Sequence, residues 1–185
     1  MPGKRGMAKH LLIGAGAGIV AAWAMDEFQK LWLKASPGGL SISGRGHHQK
    51  NPRTDVEVMQ VIAARTSRVL AGRELTKAQR NSAALMLHYG FGATTGALYG
   101  ALASKSERFA FGFGSAFGTA FFAIGYAFAP EDLKPSVPPH DEHMVSVVYE
   151  WLTHVLYGVT LEAGRRGAEA MTMKATPRKG KPPAA

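Results

Sequence analysis

The chain has 185 residues, no cysteine, and 22 Lys and Arg against 13 Asp and Glu, a formal net charge of +9. Without cysteine it has no disulfide framework, no thiolate metal site, no iron–sulfur cluster and no thiol nucleophile. A basic balance suits nucleic acid or anionic lipid, but the phenylalanines crowd into Phe109–Phe128, away from the cations. Stacking platforms for bases need aromatics beside cations, so the bilayer is the expected partner and nucleic acid is not.

Met1–His10 is short and basic. Leu11–Met25 is uncharged, and Phe28, Leu31, Trp32 and Leu33 carry its apolar face past Asp26, Glu27 and Lys30. A span needs about 20 apolar residues, and the extended segment predicts one over 10–33 with Trp and Lys at the interface. A secretory signal competes, with Ala22-Trp23-Ala24 as its cleavage site. The apolar face continuing past Ala24 speaks for retention.

Ser36–Arg53 reads as loop. Thr54-Asp55-Val56-Glu57 is a capping box that opens an amphipathic helix over 54–71. Val58, Val61, Ile62 and Val69 lie largely to one side of it, with Arg65 and Arg68 adding charge. Such a helix lies on the membrane surface or packs on the end of a bundle.

Ser82–Ser104 and Phe109–Ala129 run for 23 and 21 residues without a charge. That length predicts spans over 82–104 and 109–129, joined by a tight turn at Lys105-Ser106-Glu107-Arg108. An acidic, proline-containing loop, Pro130–His143, leads to a fourth span over 144–162, interrupted only by Glu150 and His154. Residues 1–170 form a single helical domain, and the basic, proline-containing tail 171–185 is expected to be disordered. The predicted fold class is an all-α membrane protein, a bundle of four transmembrane helices with an extra amphipathic helix in the first loop.

Gly14/Gly18, Gly92/Gly96/Gly100 and Gly114/Gly118 repeat at the spacing of small residues that lets helix backbones approach in lipid. They predict helix packing, and they permit a homo-oligomer or a place in a larger membrane complex. Lys and Arg divide evenly between the two sides of such a bundle, so orientation rests on the short loops, which put both termini in the cytoplasm.

Glu150 and His154 stand one helical turn apart on one face. With His88, Asp26 and Tyr99 they form a candidate intramembrane polar network. Ionisable groups at membrane depth usually face the bundle interior, and a Glu–His pair can pass or hold a proton. The same pair can equally serve as hydrogen-bonding glue between helices. A mixed metal site from Asp26, His88, Glu150 and His154 is a weaker reading, because neither Glu-x-x-His on two helices nor His-Glu-x-x-His is present. No cofactor, metal or catalytic residue is therefore expected. The histidines His47, His48, His140 and His143 read as solvated.

Glu150-x-x-x-His154, then Glu162, then Arg165-Arg166 resembles the last helix of the YagU-like bacterial inner-membrane proteins. His88 followed by Tyr99 is similar to a feature of the same family. So is the layout of one helix, a long loop, two helices in a tight turn and a last helix ending in arginines. The resemblance implies four helices in a bacterial inner membrane and singles out His88, Tyr99, Glu150, His154, Glu162, Arg165 and Arg166. It supplies no reaction, since the family is chiefly a domain of unknown function. Glu162, Arg165 and Arg166 also read as ion pairs closing a helix at the membrane edge. Two functions follow as expectations: a small protein handling protons or small solutes, or a non-catalytic accessory subunit.

Overall fold

A computed structural model describes residues 4–35, 55–128 and 142–175. Among them are five α-helices, one 3₁₀ segment and no strand. They run as α1 (Lys4–Ala35), α2 (Asp55–Ala71), α3 (Lys77–Ala103), the 3₁₀ segment Glu107–Gly114, α4 (Ser115–Phe128) and α5 (Glu142–Ala175). The predicted loop 36–53, Thr54 of the predicted capping box, most of the loop 130–143, and the tail beyond residue 175 lie outside the described residues, as do His47, His48 and His140.

α1 and α3 run antiparallel with their backbones in contact. A Cβ at Gly14 would meet the Gly96 carbonyl, and one at Gly18 the Gly92 carbonyl. Gly100 faces the His10 carbonyl in the same seam. α4 docks on α5 by the same device, with Gly114 against Gly158 and Gly118 against the His154 carbonyl. Glycine costs a helix roughly 1 kcal/mol relative to alanine, and close approach is what these positions return. The core between α1, α3 and α5 is correspondingly lean: Ala17, Ala21, Ala22, Met25, Tyr99, Tyr157 and Leu161.

α2 packs on α3 and reaches α1, where the buried Gln29 amide donates to the Asp55 carboxylate and accepts from the Asp55 backbone N–H. His10 Nδ1 lies 3.1 Å from Glu169 Oε1, so the first turns of α1 and the last turns of α5 share one end of the bundle. The turn 72–76 lies at the other.

Several boundaries differ from expectation. α3 begins at Lys77, before the apolar run, because Thr76 accepts from the Gln79 backbone N–H while the Gln79 side chain accepts from the Thr76 N–H. This capping box satisfies two otherwise orphaned donors. The continuous helix expected over 109–129 is broken: Phe111 is extended, and Gly112, Phe113 and Gly114 take positive φ before α4 starts. α5 continues to Ala175, so residues 171–175, expected to be disordered, are helical. Two segments, Gly6–Trp32 and Glu107–Phe128, are long and apolar enough to cross a membrane.

Candidate functional site

Asp26 sits on α1 where that helix faces α3. Its carboxylate accepts from the Tyr89 hydroxyl at 2.8 Å, and its other oxygen lies 3.1 Å from His88 Nε2. The same ring nitrogen is 3.4 Å from the Ala22 carbonyl. Carboxylates and carbonyls accept, so Nε2 carries the proton, and in the neutral ring Nδ1 keeps the lone pair. Asp26 and His88 are both buried, and Tyr89 stacks edge-on against the imidazole.

His154 stands across from this pair on α5. Its Nδ1 lies 2.8 Å from the Glu150 carbonyl one turn back, which fixes the proton there and leaves Nε2 as the acceptor. Phe121 and Phe122 of α4 flank the ring. The Glu150–His154 bond therefore runs through backbone rather than joining carboxylate to imidazole. The Glu150 side chain is part-buried, with Asp55 as the charge acting on it.

His88 and His154 line one pocket of about 80 Å³. Its walls are mainly apolar, with Met25, Met59, Phe91 and Phe121 among them, and Asp55 of α2 lies at its margin. Tyr157, one turn beyond His154, spans the bundle to donate to the Gly92 carbonyl at 2.8 Å. Thr95 folds back onto the Phe91 carbonyl. The pocket thus holds two imidazoles, each oriented by a separate hydrogen bond. Among the described residues, no three His, Asp or Glu side chains come together as a metal site, so Asp26, His88, Glu150 and His154 do not converge on an ion.

Tyr99 belongs elsewhere. Eleven residues beyond His88 on α3, it donates to Glu162 Oε2 at 2.8 Å. Glu162 is fully buried and also accepts a two-pronged bond from Arg165 at 2.7 and 2.8 Å and a bond from Arg166 Nε. Arg165 extends the chain of charges to Glu169 at 2.8 Å. Glu162 and Glu169 together hold the Arg165 guanidinium above its ordinary range, so it stays charged. Arg166 lies over the Phe113 ring, 5.0 Å from its centroid. The network joins α3 to α5 with Glu162 at its buried centre, and Arg166, 55% exposed, at its outer edge.

Some of these partners left a trace in the sequence. Glu169 stands four residues from Arg165, and Tyr157 three from His154, both helical neighbours. Tyr89, Gln29 and the Ala22 carbonyl left none, because the α1–α3 register brings Tyr89 to Asp26 and the Ala22 carbonyl to His88, and the docking of α2 on α1 brings Gln29 to Asp55. Compared with protein families, curated proteins and solved structures, the chain matches none of them.

Proposed function

We propose that the chain is a membrane protein of four spans, similar in layout to the YagU-like inner-membrane proteins, that hands a proton or a small polar solute through the His88–His154 pocket. The observation that carries this reading is the pair of imidazoles on one apolar-walled pocket, each with a bound proton on one nitrogen and an acceptor on the other. Asp26 lies 3.1 Å from the protonated Nε2 of His88, so when Nδ1 takes up a second proton the carboxylate offsets the imidazolium charge from the other side of the ring. Tyr89 holds that carboxylate, and Glu150 serves through its carbonyl by setting the His154 tautomer. Membrane residence is supported by the two long apolar segments and by large apolar side chains exposed on every helix of the bundle. Both termini on the cytoplasmic side agrees with the pairing of His10 with Glu169 at one end.

The test is proton flux into liposomes that hold a pH-sensitive dye, driven by an imposed gradient. Wild-type protein is expected to exceed empty liposomes, and His88→Gln and His154→Gln to fall to the empty-liposome rate while keeping their helical content. Wild-type flux in both variants, or none from the wild type, would overturn the reading.

A second reading, an accessory subunit of a larger complex, is favoured by α4. It buries only Gly118 and leaves Ile124 and Phe128 exposed. It predicts a defined companion after extraction in mild detergent. A protein that emerges alone would sink it.

A further inference from the structure

Every polar side chain on the wall of the His88–His154 pocket has already committed its hydrogens elsewhere. The Nε2–H of His88 is directed at Asp26 and the Ala22 carbonyl, and the Nδ1–H of His154 at the Glu150 carbonyl. The Tyr157 hydroxyl donates to the Gly92 carbonyl, and the Thr95 hydroxyl to the Phe91 carbonyl. Asp55 completes the polar wall, and its carboxylate receives the Gln29 amide. With both imidazoles neutral, the wall therefore offers lone pairs and no donor: Nδ1 of His88, Nε2 of His154, two hydroxyl oxygens and a carboxylate. An anion finds nothing there to bind it.

The charges agree. Asp26 lies behind His88 and Asp55 at the margin, while no Lys or Arg lines the pocket. Lys30, one turn beyond Asp26, is paired with Glu27 at 2.7 Å. Phe91 and Phe121, with ring centroids 5.6 Å apart, add aromatic rings to the wall, and ring faces attract cations. The type of acceptor then selects among cations. Alkali, magnesium and calcium ions want a shell of oxygens, whereas an imidazole lone pair suits an N–H donor. Size sets the last limit. A water-sized group takes roughly 10–15 Å³ of such space, so a cavity of about 80 Å³ admits a nitrogen with a short alkyl tail and excludes a bulky amine.

We propose that the pocket binds ammonium or a short primary alkylammonium ion, its N–H groups donating to the free ring nitrogens of His88 and His154. This rests on the reading of the pocket as the site of transfer and names the class of solute it takes.

The experiment uses the full chain in an uncharged detergent, with no membrane and no flux. Saturation transfer from the protein's aromatic protons is read by NMR on the methyl group of methylammonium, and on that of acetate as the anionic control. Transfer to methylammonium and not to acetate is expected, and ammonium chloride is expected to displace the probe where potassium chloride does not. His154→Leu, checked for retained helical content, is expected to lose at least about tenfold in affinity for methylammonium, the scale of one charge-assisted hydrogen bond. Equal transfer to both probes, transfer to neither, displacement by potassium as good as by ammonium, or unchanged affinity in a folded His154→Leu overturns the proposal. Should that variant fail to fold, the wild-type comparison of ammonium with potassium decides alone. Proton flux in liposomes without methylammonium binding overturns the cation and leaves the proton path standing. Binding without flux supports the cation and overturns the proton path.

Discussion

Glu162 receives bonds from Tyr99, Arg165 and Arg166 with no access to solvent. Removing Glu162 leaves the Tyr99 hydroxyl buried without its acceptor and Arg165, 11% exposed, with Glu169 alone, while Arg166 still reaches solvent. Glu162→Ala is expected to cost about 3–5 kcal/mol, and Tyr99→Phe about 1.5–3 kcal/mol, the worth of a hydrogen bond to a charged acceptor. Unfolding in micelles followed by circular dichroism measures both, and a cost below about 1 kcal/mol for Glu162→Ala would show that the network adds little beyond an ordinary hydrogen bond. The grouping of Tyr99 with Glu162 instead of with His88 was not legible in the sequence. Both α3 residues lie in one uncharged run, and only the packing of α3 against two helices sends His88 to Asp26 on α1 and Tyr99 to Glu162 on α5. His154 was legible as a polar interruption of an apolar segment, but its bond to the Glu150 carbonyl was hidden, because side-chain spacing is blind to backbone acceptors.

At the scale of the elements, glycine decides how closely helices approach. Gly18→Ala puts a methyl into the Gly92 carbonyl, which cannot rotate aside, and is expected to destabilise by about 1–3 kcal/mol. Gly16→Ala meets nothing within 4 Å and is expected to gain up to about 1 kcal/mol from helix propensity. The same unfolding assay separates them, and equal effects from the two substitutions would contradict the seam. A glycine repeated every fourth residue is visible in a sequence, whereas the helix lying across from it is not. The break at Phe111–Gly114 did leave a sign: Phe109, Phe111 and Phe113 alternate with small residues, a period of two that a helix scatters around its surface. The 21-residue run without charge from Phe109 to Ala129 masks that sign, because its length alone meets the rule for a span. The early start of α3 was missed for a related reason, since Thr76 and Gln79 lie outside the uncharged run that defined the helix.

For the whole molecule, the turn at 72–76 and the turn at 104–106 lie at opposite ends of α3, and the last turns of α5 share the second end. Because the chain has no cysteine, single cysteines report sidedness against a silent background. Lys105→Cys and Ala170→Cys are expected to react with an impermeant maleimide from one face of the membrane, and Arg73→Cys from the other. Labelling of all three from one face would rule out the four-span arrangement. Helical class and the broad segments were legible from charge patterning alone, because lipid and a lean core both demand long uncharged runs. The packing of α2 on the bundle end was left open by its sequence, since an amphipathic face suits a bilayer surface and a helix neighbour alike.

The glycine seam between α1 and α3 also makes sliding discontinuous. A shift by one residue would turn carbonyls into side chains, and the next comparable fit lies four residues, or about 6 Å, along the axis. In one direction that step brings Gly18 opposite the bulk of His88, so the way is barred. In the other direction glycine still meets glycine, at Gly14/Gly100 and Gly18/Gly96, and the Asp26–His88 pair is what such a step would break. Glycine contacts thus space the stops at four-residue intervals, and the buried Asp26–His88 pair selects one stop from the two that glycine alone permits.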